Sequence, residues 1–372
     1  MVKTQTSGLM LYGFVFGKNW KLSLAELLAF LKKKEISYEL IGFSEHGCII
    51  ETKVDPSTWI KELGGTLEIF KVLKKVEVKK LKKEHLAEFE GEKIRIYGAI
   101  PKIGKLAKKS KVKLRKRKEK KKEEKIIMVI ENKAYFGEVI SRYDPLSQKK
   151  RDTQRPVVRP ELSISPSRAM ILVNLSRAKE NLLDPFCGTG TIGQEAMLLG
   201  VKKILMSDND SLRVKEAKKN LSWVKEKYGL NVEFEVKTCD ARKLEKCYKK
   251  ESIEAIATEP DFGPLLKESI PKKDAEEIIS YLTSLYKEFF NSAYRIIKKE
   301  GLIAITLPCI SFGKGRVYVD KRFKGFRLVD LFEDLPKEKK KKLRKTVVDE
   351  EREKGRKRII AREFCVFKPI KK

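Results

Sequence analysis

Histidine is scarce in this sequence, and its cysteines are not paired in sequence. The only histidines are His46 and His85, and the six cysteines are scattered without a C-x-x-C pair. Because zinc sites and catalytic triads need such residues at suitable spacing, we expect no metal centre and no histidine-based triad. The scatter also argues against a disulfide framework, so we expect a reducing, cytoplasmic location. The cysteines are Cys48, Cys187, Cys239, Cys247, Cys309 and Cys365.

Long apolar segments are missing as well. No run of apolar residues approaches the roughly 20 residues that a membrane-spanning helix needs. The opening stretch MVKTQTSGLMLYGF lacks the long apolar core of a signal peptide. We therefore expect no membrane association.

Acidic residues are outnumbered by basic ones. The chain has 52 Asp and Glu against 84 Lys and Arg, which gives a net charge of +32. A positive field of this size favours a polyanionic partner, and nucleic acid is the interpretation that we prefer. A lysine- and glutamate-rich thermophile surface would explain the density of charge but not its imbalance. Basic residues concentrate at 100–125 and 337–358, which are either solvated faces or contacts for RNA phosphates.

The length of 372 residues suggests more than one domain. Residues 1–82 read as a small α+β unit, in which the strand LMLYGFVF precedes a helix capped by Ser23. Residues 83–143 form a basic region that ends in a hairpin turning at 131–133. Residues 144–164 are a proline-punctuated linker, whose basic side chains either line a nucleic-acid path or are solvated.

From Ser165 onwards, helical and strand patterns alternate. Ser165 and Pro166 are typical of a helix start. The alternation predicts a parallel sheet covered by helices, an α/β fold that spans residues 165–372. Four segments are typical of its strands: NLLDPF, KKILMSDND, VEFEVKTCDA and IEAIATEP. The late segments FRLVDLFEDL and IIAREFCVFKPI are expected to add edge strands.

A glycine-rich turn follows the first of these strands. Gly188, Gly190 and Gly193 satisfy G-x-G-x-x-G, which fits enzymes that bind NAD as well as enzymes that bind S-adenosylmethionine. Asp184 precedes the glycines, where a carboxylate can meet the methionine ammonium group, a cation that NAD lacks. Asp208 ends the next strand, at a place suited to ribose hydroxyls. Asp240 ends the following strand and could accept a hydrogen bond from the adenine amine.

Each of these residues has a simpler explanation when it is taken alone. Asp184 and Asp208 could cap helices, and Asp240 could belong to a turn. Cys187 could be a nucleophile, but a small loop residue is the better interpretation because no histidine is near it in sequence. Carboxylates at successive strand ends favour a cofactor site. We expect it to be lined by Asp184, Pro185, Phe186, Gly188, Gly190, Thr191, Asp208, Asn209, Asp240 and Ala241.

The stretch ATEPDFGP ends the next strand and therefore borders the same cleft. An exocyclic amine of a base is a poor nucleophile because its lone pair is delocalised into the ring. Methyl transfer to it needs acceptors for its N–H bonds and an aromatic surface for the extruded base. Glu259, Pro260, Asp261 and Phe262 are the candidate catalytic residues, unless the stretch is only an irregular turn.

At this point the chain resembles the THUMP-domain tRNA guanosine-N2 methyltransferases, the archaeal position-10 enzyme and its relatives. The resemblance is carried by DPFCGTGTIGQEA, SDND and TEPDFGP, and upstream by LGGTLEIFKV, ENKAYFGEVISR and RPVVRPELSISPSRAMILVNL. It implies a Rossmann-like class I methyltransferase domain preceded by a ferredoxin-like domain and a short THUMP-like region. It also implies S-adenosylmethionine as cofactor and tRNA as partner, with a small zinc-binding activator protein left open. We expect a monomer, and RNA contacts at Lys113, Arg115, Arg117, Arg151 and Arg155.

Two of the chain's departures from the family motif Asp-Pro-Pro-Tyr bear on its chemistry. Glu259 is longer than aspartate by one methylene group, and Asp261 replaces the second proline. Two alternatives to tRNA guanosine methylation stay open. One is a DNA amino-methyltransferase acting on adenine N6 or cytosine N4, and the other is a catalytically impaired relative that binds RNA. An NAD oxidoreductase would leave the positive charge and TEPDFGP unexplained.

Overall fold

A computed structural model describes most of the chain. The described residues are 8–87, 89, 93–98, 105–106, 113–114, 125–159, 163–266, 268–341, 343–350, 352–353, 356–357 and 359–371. The chain divides into two compact units, one of residues 1–24 and 34–144, the other of residues 25–33 and 145–372. Arg115 and Arg117 lie outside the described residues.

The first unit is built on one sheet. Its strands are β1 (Met10–Phe16), β2 (Tyr38–Ser44), β3 (Gly47–Thr52), β4 (Thr66–Glu77), β5 (Lys93–Tyr97), β6 (Lys113–Leu114), β7 (Lys125–Ile130) and β8 (Lys133–Arg142). The strand order is β2-β3-β1-β4-β8-β7-β5-β6. Helix α1 (Trp20–Lys33) follows β1, and α2 (Glu84–Ala87) lies between β4 and β5, with short 3-10 helices at Trp59–Lys61 and Val78–Lys80.

The sheet of the first unit curls back on itself. A Cβ atom on Gly47 of β3 would lie 2.6 Å from Met128 Cε of β7, and one on Gly42 of β2 would lie 3.0 Å from Ile130 Cγ2. The two glycines therefore let strands that are not neighbours in the sheet pack face to face. The buried cluster on this face contains Val15, Ile49, Phe70, Ile126, Met128, Ile130 and Tyr135.

The start of α1 corrects the expected helix cap. The helix begins at Trp20, three residues before Ser23, and the Asn19 side chain accepts a hydrogen bond from the Leu22 amide at 3.3 Å. Ser23 lies inside the helix, where its hydroxyl donates to the Gly65 carbonyl at 2.8 Å. Both residue types can cap a helix, and the pattern of apolar residues did not distinguish them.

The second unit contains the alternating elements expected from Ser165 onwards. Its strands are β9 (Asn181–Asp184), β10 (Lys203–Asp208), β11 (Glu233–Thr238), β12 (Ile253–Thr258), β13 (Ile297–Phe312), β14 (Gly315–Tyr318), β15 (Phe326–Val329), β16 (Val347–Asp349), β17 (Arg352–Glu353), β18 (Arg356–Lys357) and β19 (Ile360–Pro369). Its helices are α3 (Pro145–Thr153), α4 (Pro166–Ser176), α5 (Thr191–Leu198), α6 (Ser211–Lys227), α7 (Lys272–Ile296) and α8 (Lys337–Lys340). A 3-10 helix spans Ala241–Lys246.

The main sheet of this unit has the order β11-β10-β9-β12-β13-β19-β15. The pairs from β11 to β13 are parallel, and β19 and β15 join antiparallel. The strand β19 therefore lies inside the sheet, whereas the sequence suggested an edge strand. Helix α7 packs Tyr286, Phe289 and Phe290, all fully buried, into the largely aromatic and aliphatic core on one face.

The second half of α1 belongs to the second unit. Glu26 of this half is fully buried, and its carboxylate accepts a hydrogen bond from Asn174 Nδ2 of α4 at 2.8 Å. The second unit is therefore discontinuous in sequence.

Residues 145–159 are an integral part of the second unit. Arg151 of α3 forms two hydrogen bonds with the Glu195 carboxylate, at 3.0 and 3.1 Å. The Val157 amide donates to Asn220 Oδ1 at 2.9 Å, and Arg159 holds the Glu216 carboxylate with both Nε and Nη2. The segment that the sequence suggested as a linker is thus bound to α5 and α6 by its own polar groups.

Two of the six cysteines form a disulfide. Cys239 and Cys247 are joined across a separation of eight residues. This corrects the expectation drawn from their scatter, because spacing along the chain did not indicate that the turn after β11 brings these two side chains together. Cys48, Cys187, Cys309 and Cys365 are free and buried.

Neither a membrane-spanning helix nor a cluster of metal ligands is present among the described residues. None of the helices there has the length and apolar character needed to cross a bilayer. In the same ranges, no three or more His, Cys, Asp or Glu side chains converge in the manner of metal ligands.

Candidate active site

Four neighbouring parallel strands of the second unit end at one edge of the sheet. Asp184 ends β9, Asp208 ends β10, Asp240 lies two residues after β11, and Glu259 directly follows β12. The carboxyl ends of parallel strands are the usual ligand-binding edge of an open α/β sheet. The structure therefore brings the predicted carboxylates to one edge.

The glycine-rich turn connects β9 to α5. Gly190 has a φ of 89° at the cap position of the helix, and a Cβ atom there would lie 2.7 Å from Leu221 Cδ1. Gly188 also has a positive φ, of 49°, and a Cβ atom there would meet no other atom within 4 Å. The turn therefore needs glycine at Gly190 for both conformation and space, and at Gly188 for conformation.

Asp184 is the most deeply buried of the four carboxylates, with 1% of its surface exposed. Its Oδ1 accepts a short hydrogen bond from the Thr258 hydroxyl at 2.6 Å and one from the Phe186 amide at 3.2 Å. Burial raises the pKa of Asp184 from 3.8 to about 7; the two hydrogen bonds lower it, and the charges of Asp208 and Glu259 raise it. In the described residues Asp184 has no ion-pair partner, so the site is suited to a ligand cation.

Asp208 holds the glycine-rich turn. Its Oδ2 accepts the Gly188 amide at 3.0 Å, and its Oδ1 accepts the Asp210 amide at 3.0 Å. Asn209 beside it is exposed. The carboxylate is thus oriented by backbone groups of two loops.

Asp240 is held by a neighbour in sequence. Its carboxylate accepts the Arg242 amide at 2.9 Å, Arg242 Nε at 3.0 Å and Arg242 Nη2 at 2.7 Å. The side-chain hydrogen bond from Arg242 is the main cause that holds the pKa of Asp240 below its usual value. The acceptor that the sequence suggested for an adenine amine is therefore engaged by a guanidinium group.

Glu259 is held by a residue from a distant strand. Arg362 of β19 donates from Nε to Oε2 at 2.6 Å and from Nη2 to Oε1 at 2.9 Å. The Thr306 hydroxyl of β13 donates to Oε2 at 3.1 Å. The side chains of Glu259 and Arg362 are 15% and 11% exposed. A two-pronged, largely buried ion pair of this kind fixes the plane of the carboxylate.

The rest of the motif is shaped by hydrogen bonds where the family has a second proline. Asp261 Oδ1 accepts the Gly263 amide at 3.0 Å, and the Asp261 carbonyl accepts the Tyr286 hydroxyl at 2.5 Å. Burial raises the pKa of Tyr286 well above the usual phenol value, which keeps its hydroxyl a donor. Pro260 is buried, and the half-buried ring of Phe262 lies 5.6 Å from the Arg362 guanidinium carbon.

Other residues predicted to line the cofactor site are buried or half-buried, and their contacts with a cofactor stay a prediction. Pro185 and Ala241 are buried, and the Phe186 ring packs against Phe289 at 5.4 Å. Cys187 is also buried, and burial raises the pKa of its thiol far above its usual value, which disfavours a thiolate nucleophile.

The structure describes the environment of some of the basic residues that were expected to contact RNA. Arg155 is 4% exposed, and its Nη1 donates to Thr191 Oγ1 at 2.6 Å. Arg151 is engaged by Glu195 in the same unit. Burial of Arg155 and the ion pair of Arg151 with Glu195 disfavour the contacts with RNA phosphates that were expected of these two residues. For Lys113 the structure describes the backbone, in β6, and the proposed contact at its side chain stays a prediction.

Three residues that organise the site were not expected from the sequence. Thr258 binds Asp184, while Arg362 and Tyr286 hold Glu259 and Asp261. Thr258 precedes the motif directly and ends its strand. Arg362 had a usable signal, because a charged residue inside the apolar strand IIAREFCVF needs a partner.

Comparisons with known proteins identify the second unit. A family model described as "RMKL-like, methyltransferase domain" matches residues 156–309. The crystal structure of TrmN from Thermus thermophilus aligns with 97% of this chain and all of its own at a TM-score of 0.51 and 18% identity, which is a likeness of fold. The class I methyltransferase fold is thus confirmed, while the THUMP assignment of residues 83–143 stays a prediction.

Curated relatives are similar over shorter stretches. The tRNA (guanine(10)-N2)-dimethyltransferase of Methanothermobacter thermautotrophicus is 35% identical over 168 residues, which are 44% of this chain and 45% of that protein. A probable tRNA (guanine(10)-N2)-dimethyltransferase of Methanothermococcus thermolithotrophicus is 32% identical over 141 residues, 36% of this chain and 75% of that protein. The chain spans about half the length of the first curated relatives that it matches. With its methyltransferase domain and this degree of identity, the chain belongs to the tRNA (guanine(10)-N2)-dimethyltransferase family.

Proposed function

We propose that this chain transfers a methyl group from S-adenosylmethionine to the exocyclic N2 of a guanosine in tRNA. The target nucleotide that we propose is guanosine 10, the position given in the names of its relatives. The observation that carries the proposal is the ion-paired carboxylate of Glu259, which stands at the same strand edge as the buried Asp184.

The residues at this edge fit the cofactor. Asp184 is a buried carboxylate whose raised pKa reflects an uncompensated charge, and the methionine ammonium group would compensate it. Asp208 would accept the ribose hydroxyls while it holds the Gly188 amide. Asp240 would accept the adenine amine once Arg242 turns aside, which is a modest cost for an exposed pair. When bound, the cofactor supplies an electrophilic methyl group on a sulfonium.

The carboxylate of Glu259 favours guanine among the bases. An ion-paired carboxylate only accepts hydrogen bonds. Guanine offers two adjacent donors, the ring N1–H and the N2 amine, whereas adenine and cytosine place a ring acceptor next to their amine. A base extruded into the site would turn a ring lone pair towards the charged carboxylate if it were adenine or cytosine, whereas guanine would present only N–H donors to it.

The residues of the motif would then prepare the amine. Glu259 and the Pro260 carbonyl would accept its N–H bonds, and the Phe262 ring would stack on the base. Because the lone pair of N2 is delocalised, these contacts would favour the pyramidal nitrogen from which direct displacement proceeds. No covalent enzyme intermediate is needed, and orientation would supply much of the acceleration.

The net charge of +32 supports a tRNA partner. Non-sequence-specific attraction to phosphates would supply part of the affinity and would weaken steeply with salt. The family resemblance leaves open whether a small zinc-binding activator protein is needed. The methylation reaction is therefore to be run both with and without such a protein.

The test is methyl transfer from labelled cofactor to defined nucleic acids, followed by nucleoside analysis. The substrates are an unmodified tRNA transcript, the same transcript with adenosine at position 10, and duplex DNA. We expect labelled N2-methylated guanosine from the first transcript and none from the other two. Label in DNA adenine or cytosine would establish the amino-methyltransferase alternative, and cofactor binding without transfer to any substrate would establish an impaired relative.

A further inference from the structure

The charged partner of Glu259 comes from the last strand of the chain. Arg362 lies 103 residues after Glu259, opposite Pro308 in the register of β13 and β19. The strand β12 ends at Thr258, which is opposite Ile305 of β13. β13 and β19 therefore continue past the end of β12, and their extension brings Arg362 and Thr306 beside the motif.

The geometry of the pair goes beyond charge neutralisation. Oε2 of Glu259 accepts two hydrogen bonds, from Arg362 Nε at 2.6 Å and from Thr306 at 3.1 Å. In the described residues Oε1 accepts one, from Arg362 Nη2 at 2.9 Å. A carboxylate oxygen can accept two hydrogen bonds. Both acceptor directions of Oε2 are therefore used, whereas one acceptor direction of Oε1 remains for a ligand.

Glutamate at this position needs such a constraint. It has one more rotatable bond than the aspartate of the family motif, so an unrestrained side chain would spread its oxygens over several rotamers. The guanidinium group of arginine matches both oxygens of a carboxylate in one plane, which the ammonium group of lysine cannot do. The same guanidinium lies 5.6 Å from the Phe262 ring and links the carboxylate to the aromatic surface.

We propose that Arg362 is the positioning residue of the methyl-acceptor site: it aims the remaining acceptor direction of Glu259 Oε1 at the N2–H donor of guanine and sets the position of this carboxylate relative to the Phe262 ring. The inference rests on the proposed function and adds to it a residue of the last strand. In this role Arg362 would act through Glu259, without touching the cofactor or the reacting nitrogen itself. Its loss is therefore expected to lower kcat with little change in the affinity for cofactor.

The decisive variant is Arg362→Lys, which keeps the charge and removes the fork. We expect kcat for methylation of tRNA to fall by about 10- to 100-fold, the range for one charge-assisted hydrogen bond of 1.5–3 kcal/mol. KM for tRNA and the Kd for S-adenosylmethionine should stay within about threefold, since neither contact is made by Arg362. The matched control is Arg316→Lys, which alters another Arg–Glu pair, with Glu350, outside the site. It should keep the kcat of the unaltered chain.

A second variant separates positioning from structural support. In Arg362→Ala, added guanidinium ion should restore part of kcat by reoccupying the pair with Glu259, whereas urea at the same concentration should not. The inference is overturned if Arg362→Lys is as fast as the unaltered chain, or if its loss is confined to KM or to cofactor binding. The proposed function is still upheld in that case, provided that the unaltered chain forms N2-methylguanosine. If the unaltered chain methylates no tRNA guanosine, the proposed function itself fails, and the positioning role with it.

Discussion

The buried carboxylate of Asp184 makes a prediction about stability that is independent of any substrate. Its pKa is about 7 in the folded chain and 3.8 in a solvated one. Between pH 4 and 7 the folded state therefore binds more protons than the unfolded state, so that rising pH favours unfolding. Replacing the carboxyl group by the amide of Asp184→Asn removes this effect and leaves an Oδ1 to accept from Thr258 and Phe186.

The size of the effect follows from the shift. A difference of about three pKa units corresponds to about 4 kcal/mol of free energy of unfolding, at 1.36 kcal/mol per unit. The unaltered chain should lose this amount between about pH 4 and pH 7, whereas the variant should not. The stability of the variant relative to the unaltered chain should therefore rise by about 1.4 kcal/mol per pH unit and level off above about pH 7.

Urea unfolding at several pH values between 5 and 8 measures this difference directly. Asp240→Asn is the matched control of opposite sign, because Arg242 lowers the pKa of Asp240 and the carboxylate is stabilising when ionised. Its stability relative to the unaltered chain should be constant from pH 5 to 8, because the folded and the solvated pKa of Asp240 both lie below this range. A constant difference between Asp184→Asn and the unaltered chain from pH 5 to 8 would refute the reasoning. Saturating S-adenosylmethionine should stabilise the unaltered chain more than Asp184→Asn.

Three further variants test the site. Glu259→Gln should lower kcat for methylation by about 10- to 100-fold with cofactor affinity unchanged, because the amide loses the charge and one acceptor; unchanged turnover would remove Glu259 from the site. Gly190→Ala should lower the free energy of unfolding by about 2–4 kcal/mol, from a positive φ and a Cβ only 2.7 Å from Leu221 Cδ1, whereas Gly200→Ala, at φ 75° in open space, should cost about 1 kcal/mol; equal costs would contradict the crowding. Tyr286→Phe should cost about 1 kcal/mol of stability, because it removes the 2.5 Å hydrogen bond to the Asp261 carbonyl, and it should also lower kcat. Calorimetry and turnover are to be measured on one preparation, and a loss of stability without a loss of kcat would contradict the role in the site.

Local patterns were enough to place the cofactor edge. The strands β9, β10 and β12 are short, mostly buried runs, whereas β11 has only partly buried and exposed residues. Each has an acidic residue at or just after its carboxyl end, so the parallel sheet and the line of Asp184, Asp208 and Asp240 could be expected from the sequence. The turn at Gly190 was expected from the G-x-G-x-x-G spacing, and the structure gives this residue a positive φ.

The partners of those residues could not be placed in this way. Arg362 approaches Glu259 only because β19 inserts antiparallel beside β13, a pairing between segments far apart in sequence. The packing of residues 145–159 against the second unit was not predicted, because in the sequence its arginines look like a solvated basic stretch. Only the structure shows that they pair with the buried carboxylates of Glu195 and Glu216. Spacing alone carried no signal for the disulfide between Cys239 and Cys247.

The split make-up of the second unit has a consequence for the order of events during synthesis. Glu26 and Asn174, which meet in that unit, are 148 residues apart in the chain. At about 5–20 residues per second, a ribosome releases the second half of α1 roughly 7 to 30 s before its hydrogen-bonding partner exists. During that interval the nascent helix carries a carboxylate among leucines with its final neighbours absent, so the amino-terminal part of the chain cannot reach its finished state until much of the remainder has been translated.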